Sequence, residues 1–134
     1  MKSLIIFWIC FLLFGWASGG LVFLNGTRLF DVWIFDWLRY DQLIHFLNSV
    51  FLLFIINRLL KNYIRTSAFA KYLILGLVVM GIGAVYEILE LGCVVFLGSW
   101  KGVGDYMNNA LDLFFNFLGT ISGIIFLKCQ KIFS

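Results

Sequence analysis

Proline is absent from the 134 residues. That removes the strongest breaker of helical segments and leaves glycine as the means of interrupting one. Charge is also scarce, at 13% of residues, against about 25% in soluble globular domains. With 63% hydrophobic residues and a mean hydropathy of +1.01, the chain reads as a membrane protein. The three cysteines, Cys10, Cys93 and Cys129, form no Cys-x-x-Cys pair, and each lies in or beside an apolar run. This excludes a zinc motif and a disulfide framework, and the three read as small buried hydrophobes. No nucleophilic Ser or Cys with a basic partner and no phosphate-cradling glycine motif is present. The net charge of +3 comes from basic residues flanking apolar segments, where orientation in the bilayer accounts for them and a nucleic-acid partner is not needed.

What is abundant is apolar sequence, enough for about four spans of ~20 residues with short loops. The fold class expected is all-α, one bundle of four transmembrane helices over residues 1–134, with spans at about 4–24, 41–57, 72–98 and 111–127. A cleaved signal peptide is the rival reading of the first span, because Ala17-Ser18-Gly19 loosely imitates a cleavage site. The apolar run nevertheless continues through Leu21-Val22-Phe23-Leu24, and Asn25-Gly26 then marks a turn. Residues 30–40 mix Trp33, Phe35, Trp37 and Tyr40 with Asp31, Asp36 and Arg39, which suits a short amphipathic interfacial piece. The third span is long enough to imply tilt or a local break near its glycines. Alternating spans put seven basic residues (Lys2, Arg58, Lys61, Arg65, Lys71, Lys128, Lys131) on one side and three (Arg28, Arg39, Lys101) on the other. The positive-inside rule therefore places both termini in the cytoplasm and the protein in the cytoplasmic membrane.

That topology sets depth. Counted inward from Gly98 at ~1.5 Å per residue, Glu90 lies about 12 Å and Glu87 about 16 Å below the outer surface. All seven acidic residues then fall outside or in the outer half of the membrane. Asp41, His45 and Asn48 share a face of the second helix, and Glu87 and Glu90 share one on the third, extended by Gly83. On the fourth, Asp105, Asn109, Asp112, Asn116, Gly119 and Gly123 recur at intervals of four and three, a polar stripe that becomes a small-residue seam. A bundle turns such stripes away from lipid. No basic residue occurs within the spans to neutralise Glu87 and Glu90.

Three blocks carry a resemblance to the VanZ-like group of small integral membrane proteins, and more closely to its YjdF-type relatives. Tyr40-Asp41-Gln42-Leu43-Ile44-His45-Phe46 resembles the family's Asp-x-x-x-His-Phe helix start. Tyr86-Glu87-Ile88-Leu89-Glu90 matches the YjdF-type Tyr-Glu-x-x-Glu. Gly104-Asp105 followed by Asp112, Asn116 and Gly119 is similar to the Gly-Asp loop and Asp-x-x-x-Asn-x-x-Gly helix. Asn108 stands where YjdF-type chains often have another Asp. The resemblance covers about residues 39–123 and implies a four-helix membrane fold and a connection to the cell envelope. It implies no catalytic residue.

The residues themselves support three readings. In the first, Asp41, His45, Glu87, Glu90 and Asp112 are metal ligands, with His45, Glu87, Glu90 and Asp112 also candidate acid/base groups, in an outward-facing site for a lipid or lipid-linked envelope precursor. Carboxylates with one imidazole suit Mg²⁺, Mn²⁺ or Zn²⁺. Asn109 and Asn116 would orient substrate, and Arg39 and Lys101 would meet a phosphate. In the second, Glu87 and Glu90 take up protons or cations in a transport-like module, completed by a homo-oligomer. In the third, the polar core only fixes helix register.

Overall fold

The structure, a computed structural model, describes residues 2–98 and 106–132. Uninterrupted apolar sequence without proline gives, among the described residues, four α-helices: α1 (Lys2–Leu21), α2 (Tyr40–Leu60), α3 (Ala68–Leu97) and α4 (Tyr106–Ile132). Among the described residues α2, α3 and α4 are long and apolar enough to cross a membrane. At ~1.5 Å per residue, α3 and α4 extend to about 45 and 40 Å, beyond a hydrocarbon core of about 30 Å. Helices α2, α3 and α4 exceed the apolar runs expected from sequence because flanking polar residues such as Arg58, Lys71, Asn108 and Lys128 continue the helices.

The break considered for the third span does not occur, and α3 runs unbroken for 30 residues. Its glycines instead admit neighbours. A Cβ at Gly83 would lie 2.8 Å from Asn116 Nδ2, and one at Gly76 would meet Thr120 and Ile124. The helix stops at Gly98, whose φ of 67° gives a left-handed cap with its N–H donating to Val94 O.

Between α1 and α2 lie two small hairpins. In the first, β1 (Phe23–Leu24) pairs antiparallel with β2 (Thr27–Arg28) around Asn25-Gly26. Both turn residues have positive φ, 51° and 82°, as a tight hairpin turn requires. A 3₁₀ turn (Leu29–Asp31) leads to β3 (Trp33–Phe35), paired with β4 (Leu38–Arg39). The amphipathic piece is thus a hairpin, with Trp33, Phe35 and Trp37 exposed. Phe35 and Trp37 stack with ring centroids 5.9 Å apart.

Helix α1 docks on the hairpin end of α2. Ser18 Oγ lies 3.0 Å from Tyr40 Oη, and Gly15 leaves room for Ile44. The most extensive packing is between α2 and α4. There Gly119 lets the helices approach backbone to backbone, because a Cβ would collide with the Phe46 carbonyl oxygen, and Gly123 receives Leu53. Leu53, Tyr72, Leu75, Val79 and Leu127 form the buried core among α2, α3 and α4. Many large apolar side chains, including Phe14, Leu77, Ile88 and Phe126, face outward, as lipid contact permits.

Cys10, Cys93 and Cys129 are exposed and unbridged, which corrects the expectation that they are buried. In a bilayer the outward face is as apolar as the core, so an apolar neighbourhood does not imply an inward side chain.

The Gly119 contact generates a prediction. Gly119→Ala should destabilise the bundle by about 1–3 kcal/mol. Gly81→Ala, where nothing lies within 4 Å of the new Cβ, should leave stability unchanged or raise it. Thermal unfolding in detergent checks this, and equal midpoints for the two variants would contradict the close approach.

Candidate functional site

Helices α2 and α4 run parallel from the hairpin end, with α3 antiparallel beside them, and each presents polar groups to the others. A period of about four residues puts Asp41, His45 and Ser49 on one side of α2 and Asn108, Asp112, Asn116 and Thr120 on one side of α4. His45, Ser49 and all four α4 residues are buried. From α3, Glu87 enters the same space and is 7% exposed.

His45 is at the centre. Its Nε2 lies 3.6 Å from Asp41 Oδ1 and 3.8 Å from Glu87 Oε1. One ligand-capable atom from each of Asp41, His45 and Asp112 lies within 4.8 Å of the other two. On the far side of the ring, Nδ1 is 3.4 Å from Asn116 Oδ1, which also accepts a 2.9 Å hydrogen bond from Ser49 Oγ. With Asn116 Oδ1 as acceptor, the imidazole donates from Nδ1 and its Nε2 lone pair faces the carboxylates. Thr120 Oγ1 donates to the Asn116 carbonyl, and Gly83 makes room for the Asn116 amide.

A second relay joins the cluster to the hairpin end. Asn108 Oδ1 accepts from Arg39 Nη1 at 2.8 Å, while its Nδ2 donates to Asp112 Oδ2 at 2.7 Å and to Asp41 Oδ2 at 3.3 Å. The Arg39 guanidinium lies 4.7 Å over the Trp33 ring. It thus reaches the carboxylates through an intervening amide. Arg28, the other described cation at this end, makes a bidentate pair with Asp31.

Several buried atoms have no hydrogen-bond partner among the described residues. They include both carboxyl oxygens of Glu87, Asp112 Oδ1 and Asn116 Nδ2. Buried polar atoms are overwhelmingly paired in folded proteins, so these mark where a further ligand fits. Beside them is a cavity of about 220 Å³, bordered by His45, Asn48, Ser49, Tyr86 and Asn116 and floored by Leu52 and Val79.

Of the residues singled out from the sequence, Asp41, His45, Glu87, Asp112 and Asn116 come together, and Asn48 lines the adjoining cavity. Glu90 is half-buried and makes no hydrogen bond or ion pair with any described residue. Asn109 Oδ1 is buried without a hydrogen-bond partner among the described residues. Arg39 joins through Asn108, and Lys101 and Asp105 lie outside the described residues. Asn108, Ser49 and Thr120 were missed as contributors. A strict period of four, carried back and forward from Asp112 and forward from His45, finds all three.

This geometry defines a helical membrane protein with a buried carboxylate–imidazole cluster at one end of its bundle. A family model described as "Predicted membrane protein (DUF2238)" matches residues 1–131, and the chain belongs to that family. No curated protein and no solved structure matches it.

Asn108→Ala should lower stability by about 1–3 kcal/mol by stripping Arg39, Asp41 and Asp112 of their amide partner. Its effect should shrink in an Asp112→Asn background, because the two side chains share one bond. A double-mutant cycle read by unfolding in detergent checks this, and additive effects would count against the relay.

Proposed function

We propose that Asp41, His45 and Asp112, with Glu87 beside them, hold a divalent cation that receives the phosphate-bearing head group of a lipid or lipid-linked envelope precursor. The observation that carries the reading is the convergence of three ligand atoms within 4.8 Å next to a buried Glu87 whose oxygens make no hydrogen bond among the described residues. The donor set fits such an ion. Ligands on opposite sides of one ion stand about 4.0–4.4 Å apart, so small side-chain rotations close the remaining gap. Imidazole with carboxylates favours Zn²⁺ or Mn²⁺ over Ca²⁺. The Nδ1–H donation to Asn116 is the outer-shell arrangement that orients a ligating histidine.

Bound there, a divalent ion would supply positive charge for a phosphate oxygen and offset the burial of carboxylates, each costing about 2.5–3.5 kcal/mol ionised at mid-span. Arg39 reaches the cluster from the hairpin end through Asn108 and adds a second positive group, with a buried Nε that makes no hydrogen bond among the described residues. Glu87 is then the candidate acid/base group, its Oε1 3.8 Å from His45 Nε2, with Glu90 one turn further along α3. A proton- or cation-conducting reading is less well supported. Below the cluster Leu53, Leu75 and Val79 are 0% exposed and close the path within one copy.

The placement in the membrane belongs to the same proposal. All of residues 1–134 form one domain in which α1 is a fourth span, both termini are cytoplasmic, and the cluster opens outward. The seven-to-three distribution of basic residues supports this orientation. The VanZ-like and YjdF-type resemblance of the three blocks points to the cell envelope.

Metal analysis of the purified protein tests the site. The expected result is one divalent ion per chain, lost in His45→Ala, reduced in Glu87→Gln, and bound about 10–100-fold more weakly in Asn116→Ala. Affinity should fall as pH is lowered, because the ligands must shed protons to bind. A wild type without stoichiometric metal, or Glu87→Gln with full occupancy, overturns the reading.

A further inference from the structure

The cavity of about 220 Å³ beside the cluster has a polar end and an apolar end. Its lining runs from His45 to Leu52 on α2 and from Tyr86 to Val79 on the antiparallel α3, seven residues along each helix. That is about 10 Å along the bundle axis. The half next to the cluster holds His45, Asn48, Ser49 and Asn116, and the Tyr86 ring stands edge-on to the imidazole there, with centroids 6.4 Å apart. The other half is bounded by the apolar side chains of Leu52, Val79 and Ile82. The cavity opens sideways between α2 and α3, where Ile82 and Tyr86 line it and are 43% and 37% exposed.

One polar group of the lining is incompletely used. Asn116 is 3% exposed, and its Oδ1 serves Ser49 and His45. Its Nδ2 is buried with no hydrogen-bond partner among the described residues. Gly83 also borders the cavity, and a Cβ at that position would come to 2.8 Å from Nδ2. Lacking that side chain, α3 leaves the amide N–H groups next to the cavity instead of sealing them off.

A buried donor without an acceptor is costly, so an oxygen is called for at the level of Asn116. A single water would supply one, but it takes up about 30 Å³ and is held only where several polar groups surround it. It would leave the space along Leu52, Val79 and Ile82 unfilled. The occupant that suits both halves is an apolar chain headed by a carbonyl oxygen.

We infer that this cavity holds an acyl chain of an ester-linked phospholipid that enters sideways between α2 and α3. An ester carbonyl accepts from Asn116 Nδ2, and the chain lies along Leu52, Val79 and Ile82. Placing the phosphate of that lipid at the cluster rests on the function proposed above, whereas the chain slot itself does not use the cation. In a glycerophospholipid the ester carbonyls stand between the phosphate and the acyl chains. The same order, from carboxylates and imidazole through the Asn116 amide to apolar side chains, runs down the bundle here. A polyprenyl phosphate offers a phosphate and an apolar chain but no carbonyl, and would leave Nδ2 without an acceptor. The substrate class thereby narrows to a lipid with acyl esters.

Native mass spectrometry of the full chain released from micelles doped with equal dioctanoyl phosphatidic acid and its dioctyl ether analogue tests the slot. Wild type should retain the diester about fivefold or more in preference, the difference expected when a buried N–H gains or loses its acceptor. Farnesyl phosphate in place of the ether should be disfavoured likewise. Ile82→Trp, which fills the opening, should cut retention of the diester about tenfold. Leu77→Trp, on an exposed position of α3 outside the lining, should behave as wild type. Equal retention of diester and diether by wild type overturns the inference without recourse to any variant, and so does an Ile82→Trp chain that retains the diester undiminished. Repeating the measurement after chelation with EDTA separates the slot from the cation site. An ester preference with retention undiminished by EDTA supports the slot and counts against a phosphate-holding cation. Retention that EDTA abolishes, with no ester preference beforehand, supports the cation and overturns the slot.

Discussion

The backbone contact between α2 and α4 is the constraint on which the rest depends. Two membrane helices gain little from hiding apolar surface from equally apolar lipid, so association rests on close packing and on polar groups that find each other. Gly119 supplies the first, admitting the Phe46 carbonyl where a Cβ would collide. That approach sets the register of everything above it. Asn116, one turn nearer the hairpin end, meets His45 and Ser49, while Asn108 and Asp112 meet Asp41. A slip of one residue along this seam would rotate α4 by about 100° and leave those amides and carboxylates facing lipid.

The same packing separates the bundle into two chemical halves. Carboxylates and the imidazole collect at the hairpin end, and the cations that line a cavity collect at the other. Between them Leu53, Leu75 and Val79 are fully buried, and on α2 the polar side chains that flank this layer are Ser49 and Asn57, eight residues apart. A continuous hydrogen-bonded path does not cross that gap among the described residues. The segregation gives the chain a strong dipolar layout in which each end addresses a different membrane surface.

Much of this layout is legible in the sequence because intramembrane polarity is sparse and its periodicity therefore visible. Asp41 and His45, Glu87, and Asp112 and Asn116 stand out against apolar neighbours, and helical spacing alone brings them face to face. Asn108 does not stand out, because the polar stripe of the fourth helix was read through Asp105 and Asn109 to Asp112 at intervals of four and three, which passes over position 108. The helix begins at Tyr106, which puts Asn108 one turn from Asp112 on the buried face. Ser49 was overlooked for Asn48, since positions at three and four residues from His45 are equally close on a helix and only the partner helix distinguishes them. The cysteines and the hairpin were misread for a different reason. Hydropathy does not separate lipid-facing from core-facing positions, and the spacing of two in Trp33, Phe35 and Trp37 is a strand signal too short to outweigh an aromatic, amphipathic composition.

Asn116 shows why the structural and chemical roles of such residues are hard to separate. Its side chain ties α4 to α2 through Ser49, which a residue fixing only register would also do. The same oxygen accepts from the His45 ring and turns its other nitrogen toward Asp41 and Glu87. Register alone is served once the amide has its partners on α2. It gives no reason for Glu87 to be buried beside that nitrogen with neither oxygen hydrogen-bonded among the described residues, nor for Asp112, 1% exposed, to keep one oxygen without a hydrogen bond there. A bundle needing only interhelical glue would be more stable with glutamine or an apolar residue at position 87, since the uncompensated carboxyl is costly in the membrane. Retaining an acid there makes physical sense where a proton or a cation completes the cluster, and the three-atom convergence at Asp41, His45 and Asp112 favours the cation.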